Sequence, residues 1–312
     1  MTDVLTLTIN PSIDASTSVA RVAPVHKLRC APQRRDPGGG GINVARVLKR
    51  FGVDVTALYP AGGSLGQLLR QLIDQEGIRG VSIPIAQETR EDFTVLEQES
   101  GEQFRFVLPG PQLSEREWLG CLDAFASQQR SARFVVASGS LPPGVPADFY
   151  GRVGKAMTQA GGKLVIDTSG APLKAALEAG VYLVKPNLRE LKGLVGKPLD
   201  DERDWIAASR SLLDDRAAEV VALTLGDQGA LLVTRDNQWR AQPVPIKPVS
   251  TVGAGDSFLG AMIWRLVSGH AIEDAFRYGM AAGAAALLMP GTELCRPEDV
   301  ERLAGQIKLQ AV

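Results

Sequence analysis

The chain has 312 residues, 45% of them hydrophobic and 22% charged, the balance of a folded globular protein with a sizeable core rather than of a disordered one. Its 34 basic and 35 acidic residues nearly cancel, so no general field exists to hold nucleic acid or an anionic membrane, and any anion must be bound by a local site. The length allows two domains at about 150 residues each, but large α/β units often run as one, and residues 1–312 are expected to form one such unit.

The opening "MTDVLTLTIN" has no basic leader and passes directly into a strand pattern, and no apolar run approaches the ~20 residues of a membrane span. A cytoplasmic protein is expected. The strand "VLTLTI" runs into "TINPSID", which sets Asn10 and Asp14 at the carboxyl end of a strand, where a carboxylate can accept hydrogen bonds from sugar hydroxyls. From Asp14 to Pro37 the chain reads as extended pieces without a helix.

Next comes "DPGGGGINVARVL", four glycines from Gly38 to Gly41 ahead of a helix with Asn43 on its first turn. A flexible turn explains one or two glycines; four are better explained by a loop that lets a ligand approach the backbone. It is no Walker A loop, because GxxxxGK[ST] is missing, and no Rossmann fingerprint, because GxGxxG is missing. After a strand "VTALYP" and a helix "LGQLLRQLIDQEG", a second helix-free stretch runs from Thr89 to Pro109. Within it, "FTVLEQESGEQFRFVLPG" holds two alternating runs around Gly101, a hairpin signal. The two stretches, at about 14–37 and 89–109, are expected to form a small antiparallel β lid over the site. Lys27, Arg90 and Arg105 fall in it; each is a solvated charge by default, but three cations over a polar cleft would clamp a phosphate.

Strand-like "RFVVAS", "KLVIDTS", "VYLVKPN" and "EVVALTL" then alternate with helical runs, which predicts a mostly parallel sheet sandwiched by helices. "ASGSLPPGV" ends one of these strands in Gly139 and Ser140, at the edge where substrates lie. "VKPNLREL" sets Asn187 and Glu190 three apart at a helix start. They read either as a capping pair or, beside phosphates, as oxygen groups that hold Mg²⁺ through its waters. "LTLGDQGALL" offers Thr224, Gly226 and Gly229 in a strand-turn-strand that can bring a hydroxyl and backbone N–H groups to phosphates.

Near the end, "VSTVGAGDSFLGAMIWRL" places Gly253, Ala254 and Gly255 at a helix N-terminus with Asp256 inside its first turn. The free N–H groups and the helix dipole make an anion-binding turn. Asp256 either neutralises that dipole or faces a substrate hydroxyl beside bound phosphates. The small residues of "YGMAAGAAALLMPG" suit closely approaching helices. Cys30, Cys121 and Cys295 lack zinc spacing, and His26 and His270 lie near no serine or cysteine motif, so disulfide, zinc and histidine-triad schemes are poorly supported.

"GGGGINVAR", "NLRE" and "TVGAGDSFLGA", in that order across nearly the whole chain, resemble the PfkB or ribokinase-like family of sugar kinases. "TINPSID", "GSLPPGV" and the lid pattern look most like its fructose-phosphate branch, and "KLRC" with "PGGGGINVAR" looks like the 6-phosphofructokinases of that branch. The resemblance implies a ribokinase-like α/β fold and transfer of the ATP γ-phosphoryl group to the 1-hydroxyl of fructose 6-phosphate. A 1-phosphofructokinase, a tagatose-6-phosphate kinase and a non-catalytic sugar-phosphate sensor are the alternatives. It also implies roles. Asp256 would be the base, ionised by the dipole, and Gly253, Ala254 and Gly255 the anion hole. Lys185, Asn187, Thr224, Gly226 and Gly229 would serve ATP, and Asn187 with Glu190 would serve Mg²⁺. Asp14, Gly39, Gly40, Asn43 and Ser140 would hold the sugar, with Lys27, Arg90 and Arg105 at its phosphate. Family members often use K⁺, here expected near Ser250, Val252 and Gly291, and their lids commonly pair in a homodimer. Relatives acting on tagatose 6-phosphate or fructose 1-phosphate commonly have a lysine in the glycine loop where this chain has Gly40.

Overall fold

A computed structural model describes residues 3–129 and 132–312. Its larger sheet has ten strands: β1 (Val4–Leu7), β4 (Val55–Ala61), β5 (Arg79–Pro84), β8 (Phe134–Ser138), β9 (Lys163–Asp167), β10 (Val181–Val184), β11 (Ala218–Thr224), β12 (Ala230–Thr234), β13 (Gln238–Ala241) and β14 (Leu309–Ala311). Their spatial order is β14-β13-β12-β11-β10-β9-β8-β1-β4-β5, parallel from β11 through β5 and antiparallel from β11 to β14.

Strand side chains alternate between the two faces, so a sheet covered on both sides must be apolar on both. β8 shows this: Phe134 and Val136 enter one core, Val135 and Ala137 the other. The first core is closed by α1 (Gly40–Arg50), α2 (Gly63–Gln75), α8 (Ala254–Val267), α9 (Ile272–Leu287) and α10 (Pro297–Ala304). The second is closed by α3 (Glu115–Gln128), α4 (Phe149–Ala160), α5 (Gly170–Ala179), α6 (Leu188–Val195) and α7 (Glu202–Asp214). This is the expected ribokinase-like sandwich. The small residues of α9 pack as anticipated, since a Cβ on Gly279 would stand 2.6 Å from Met262 of α8.

A second sheet, the lid, has the order β3-β2-β6-β7, from β2 (Ser12–Val19), β3 (Arg34–Gly38), β6 (Arg90–Glu97) and β7 (Gln103–Phe106). Its outer pairs are antiparallel, and β2 and β6 run parallel at its centre, with Ser12 opposite Arg90 and Asp14 opposite Asp92. The two sheets meet where β1 ends, because β2 starts only a few residues later. From β1 the chain builds outward to β4 and β5, then returns to lay β8 on the other side. That reversal leaves a crevice at the carboxyl ends of β1 and β8.

Candidate active site

The crevice opens as a cleft of about 330 Å³ walled by both sheets. From the strand ends of the larger sheet and the helices that follow them come Gly39, Gly40, Asn43, Ser138, Gly139, Ser140, Asp167, Glu190, Gly253 and Asp256; from the lid come Ser12, Asp14, Arg90, Asp92 and Arg105.

The glycine loop is shaped by close approach. Gly39, the N-cap of α1, has φ 104°, and a Cβ there would stand 2.6 Å from Thr8. At Gly40 a Cβ would stand 2.2 Å from Ser138 Oγ, so any side chain would collide with the wall of the cleft. Three residues on, Asn43 Nδ2 donates to Asp256 Oδ2 at 2.9 Å across the cleft floor. Asp14 Oδ1 accepts from Ser12 Oγ at 2.6 Å, and Asn10 Nδ2 reaches both Ser140 Oγ and the carbonyl of Pro109 at 3.1 Å, joining core to lid.

Asp256 stands in the first turn of α8, whose N-cap Gly253 has φ 74°. Burial, and after it the charge of Asp167, pushes its carboxyl up to about 6, while Asn43 and Lys185 pull the other way. Desolvation and a neighbouring acid thus oppose the dipole at this carboxyl. A group titrating near 6 is a better proton acceptor and is still mostly ionised at neutral pH. Burial also raises Asp14. Lys185 is buried behind the turn, 3.1 Å from Asp167, and a Cβ on Gly255 would stand 3.4 Å from its Nζ. Burial works against its ammonium, yet Asp167 and, further off, Asp256 and Glu190 hold its pKa above the ordinary lysine value.

Asn187 and Glu190 form the capping pair. Asn187 Oδ1 accepts from the Glu190 N–H and Glu190 Oε2 from the Asn187 N–H, both at 2.9 Å. Glu190 lines the cleft and Asn187 does not. Burial raises the Glu190 carboxyl, its bond from the Asn187 N–H opposes this, and Asp167 adds to the rise. Among the described residues no three His, Cys, Asp or Glu side chains gather as a metal site. Asp167 and Glu190 both line the cleft, and two carboxylates in one cleft suit a Mg²⁺ ion that keeps most of its ligands as water and phosphate.

Thr224 ends β11, its Oγ1 donating to the carbonyl of Pro186 at 3.4 Å, and Gly226 begins a 3₁₀ turn facing open space with φ 62°. Gly229 is closely packed: a Cβ there would stand 2.2 Å from the Ala241 carbonyl of β13. Ser250 Oγ donates to the Gly291 carbonyl at 2.9 Å and accepts from the Val252 N–H at 3.2 Å, which brings those three residues together. On the lid, Arg90 reaches the carbonyls of Leu108 and Asn10 at 2.7 and 3.1 Å and Asp92 at 3.1 Å, while Arg105 lines the cleft from β7. Lys27 is not brought to the cleft; it is exposed on the loop between β2 and β3.

Sequence reasoning missed Asp167. The clue was present, since "KLVIDTS" ends a strand in an acid as "TINPSID" does, at the edge where ligands gather.

Residues 4–299 match the model of the pfkB family carbohydrate kinases. The chain is 49% identical to an ATP-dependent 6-phosphofructokinase isozyme 2 from Mycobacterium tuberculosis, covering 96% of this chain and 88% of the relative. It is 40% identical to an ATP-dependent 6-phosphofructokinase isozyme 2 from Escherichia coli, covering 97% and 98%. The crystal structure of the Escherichia coli phosphofructokinase-2 in complex with fructose-6-phosphate superposes with a TM-score of 0.92 at 38% identity, covering 98% of this chain and 99% of that one. With a cleft at the reversal of the sheet, an aspartate at its helix terminus and a match across nearly its whole length, the chain belongs to the pfkB family of carbohydrate kinases.

Proposed function

We propose that the protein moves the γ-phosphoryl group of ATP to the 1-hydroxyl of fructose 6-phosphate, forming fructose 1,6-bisphosphate and ADP. The observation that carries this reading is a single cleft lined both by Asp256 at the α8 terminus and by two lid arginines, Arg90 and Arg105, beside the lid acids Asp14 and Asp92. A 6-phosphate gripped by the two arginines leaves the other end of the sugar to lie against Asp256. The relative solved with fructose-6-phosphate supports the choice of sugar.

In the reaction a lone pair of the 1-hydroxyl oxygen bonds to the γ-phosphorus, the bond from that phosphorus to the β,γ-bridging oxygen breaks, and ADP leaves with those electrons. Asp256 orients the hydroxyl and accepts its proton late, since the transition state is loose and most of the rate comes from placement and charge neutralisation. The N–H groups of Gly253, Ala254 and Gly255 face the transferring charge. Asp14, Asn43 and Ser140, beside Gly39 and Gly40, hold the sugar hydroxyls. Lys185 is assigned to keep Asp167 and the turn in place, and Thr224 with the Gly226 turn to hold the outer phosphates. Asp167 and Glu190 would hold Mg²⁺, which neutralises phosphate charge when bound; Ser250, Val252 and Gly291 would serve a K⁺ ion.

The lid is proposed to pair with a second copy. Phe93, Phe106, Val107 and Leu108 expose apolar side chains on it, and Val25 and Leu28 do so on its loop. Lys27 would then act across that pairing rather than in its own cleft. Cys30, Cys121 and Cys295 are free, which suits work in a reducing cytoplasm.

The test is ADP release with fructose 6-phosphate, fructose 1-phosphate and tagatose 6-phosphate. The highest kcat/KM is expected for fructose 6-phosphate, with tagatose 6-phosphate poorer because one hydroxyl differs in configuration. Preference for fructose 1-phosphate would overturn the sugar, and no turnover with any of them would leave a non-catalytic sensor.

A further inference from the structure

The two ends of a carboxamide are nearly the same size, so Asn43 fits its place in two orientations of opposite electrostatic effect. With Nδ2 towards Asp256 it donates to the carboxylate; with Oδ1 there it repels it. The observed orientation has Nδ2 at 2.9 Å from Asp256 Oδ2, and Oδ1 at 3.4 Å from Nη1 of Arg46, one turn further along α1. A guanidinium has donors and no acceptor, so whatever faces it must be the oxygen end.

Arg46 is itself held from several sides. It is fully buried, an unusual place for an arginine, and needs a satisfied partner for each face. Its Nε donates to Glu76 Oε1 at 2.9 Å, Nη1 to the Pro37 carbonyl at 3.3 Å and Nη2 to Asp36 Oδ1 at 3.3 Å. Asp36 is fixed in turn by the Thr292 hydroxyl at 2.7 Å. A residue this constrained, touching the one side chain that hydrogen-bonds Asp256 among the described residues, does more than fill space.

We propose that Arg46 is a positioning residue: it locks the Asn43 carboxamide with its nitrogen towards Asp256, which leaves the aspartate's other oxygen for the sugar hydroxyl. The inference rests on the reading of Asp256 as the base. The charged groups facing Asp256 are Asp167 at the end of β9 and Asp14 on β2, which favour its protonated form, and Lys185 after β10, which favours the ionised one. Against that set, a carboxamide turned the wrong way adds a third push towards protonation.

Arg46→Lys tests this, because lysine keeps the charge beside Asp36 and Glu76 but lacks the fork that reaches Asn43 as well. The acid limb of kcat/KM against pH is expected to move up by about one unit, the worth of one hydrogen bond lost from the ionised form. Activity would then fall several-fold at about pH 6 and little at about pH 8. In an Asn43→Ala background the same substitution should leave the limb where it is, which a merely structural role for Arg46 would not produce. An unmoved limb in an Arg46→Lys enzyme with the wild-type urea midpoint overturns the proposal, as does an equal shift in the Asn43→Ala background. Should Arg46→Lys fail to fold, Arg46→Met with Glu76→Gln removes the charge and one of its two acid partners, Asp36 keeping Arg34 and the Thr292 hydroxyl, and carries the same test. The profile of Asp256→Asn separates the two readings. If its acid limb persists, the base assignment fails and takes this inference with it; if the limb vanishes there yet ignores Arg46→Lys, this inference alone fails.

Discussion

Replacing Asp256 by asparagine should make the protein more stable and nearly inactive at once. In the fold burial and Asp167 push this carboxyl from an ordinary 3.8 up to about 6, so holding it ionised above neutral pH costs about 3 kcal/mol. The α8 dipole returns only about 0.3–1 kcal/mol to an acid in its first turn, so the penalty from burial and from Asp167 wins. The sign follows from the raised pKa. The folded state binds this proton more tightly than the unfolded one, so the penalty is full above about pH 7, shrinks as pH falls through 6 and is gone below 3.8. Asparagine keeps the shape and an acceptor for Asn43 Nδ2, and carries no charge. Urea unfolding should therefore show the variant more stable by up to about 3 kcal/mol at about pH 7.5, most of that gain vanishing at about pH 4. Its kcat should fall by roughly two to four orders of magnitude while ATP binding persists. A variant less stable than wild type at about pH 7.5, or a difference that ignores pH, would refute the reasoning and return Asp256 to service of the helix end.

Glu190→Gln keeps an oxygen for the Asn187 N–H and so keeps the cap, but it should raise the Mg²⁺ concentration for half-maximal rate and lower kcat; an unchanged Mg²⁺ titration would leave Glu190 as a cap only. Arg105→Ala should raise KM for the phosphorylated sugar by roughly 10- to 100-fold with little change for ATP, through loss of a charge-assisted bond, and equal effects on both substrates would point to a folding or dimer defect. Gly40→Ala should lower kcat/KM by at least about tenfold because its Cβ meets Ser138 Oγ, and adding Ser138→Ala should recover part of the loss; a silent Gly40→Ala would mean that the loop is not close-packed.

β1, β4 and β8 to β12 were readable, β8, β9 and β10 as short apolar runs bounded by turn residues, and the lid hairpin because Gly101 supplies a turn of φ 76° between two alternating runs; β5, β13 and β14, with few buried apolar residues, were not. The glycine loop announced a close approach without saying to what: Gly40 meets Ser138, nearly a hundred residues away. Partners at such distances were out of reach. Nothing local in "KLVIDTS" says that Asp167 stands beside Lys185 and Asp256, so the raised titration of Asp256 could not be read from its helix alone. Arg46 hid for the same reason, looking like an ordinary helix arginine until Glu76 and Asp36 close around it. Lys27 lies in the lid segment but away from the cleft of its own chain, a placement that no local pattern gives.

The two sheets contribute to opposite walls of the cleft and are tied together at Asn10, at the short step from β1 to β2 and through Asp36 of β3, which Arg46 and Thr292 hold. Neither wall alone carries the whole site: the main layer offers Asp256 and the anion-binding turn, the lid Asp14 and the two guanidiniums. On the proposed reading a sugar phosphate would reach both walls at once, and a water molecule only one. Attack by water on ATP would then forgo the positioning that the lid gives the sugar, a bias against hydrolysis that follows from the way the backbone leaves its first strand.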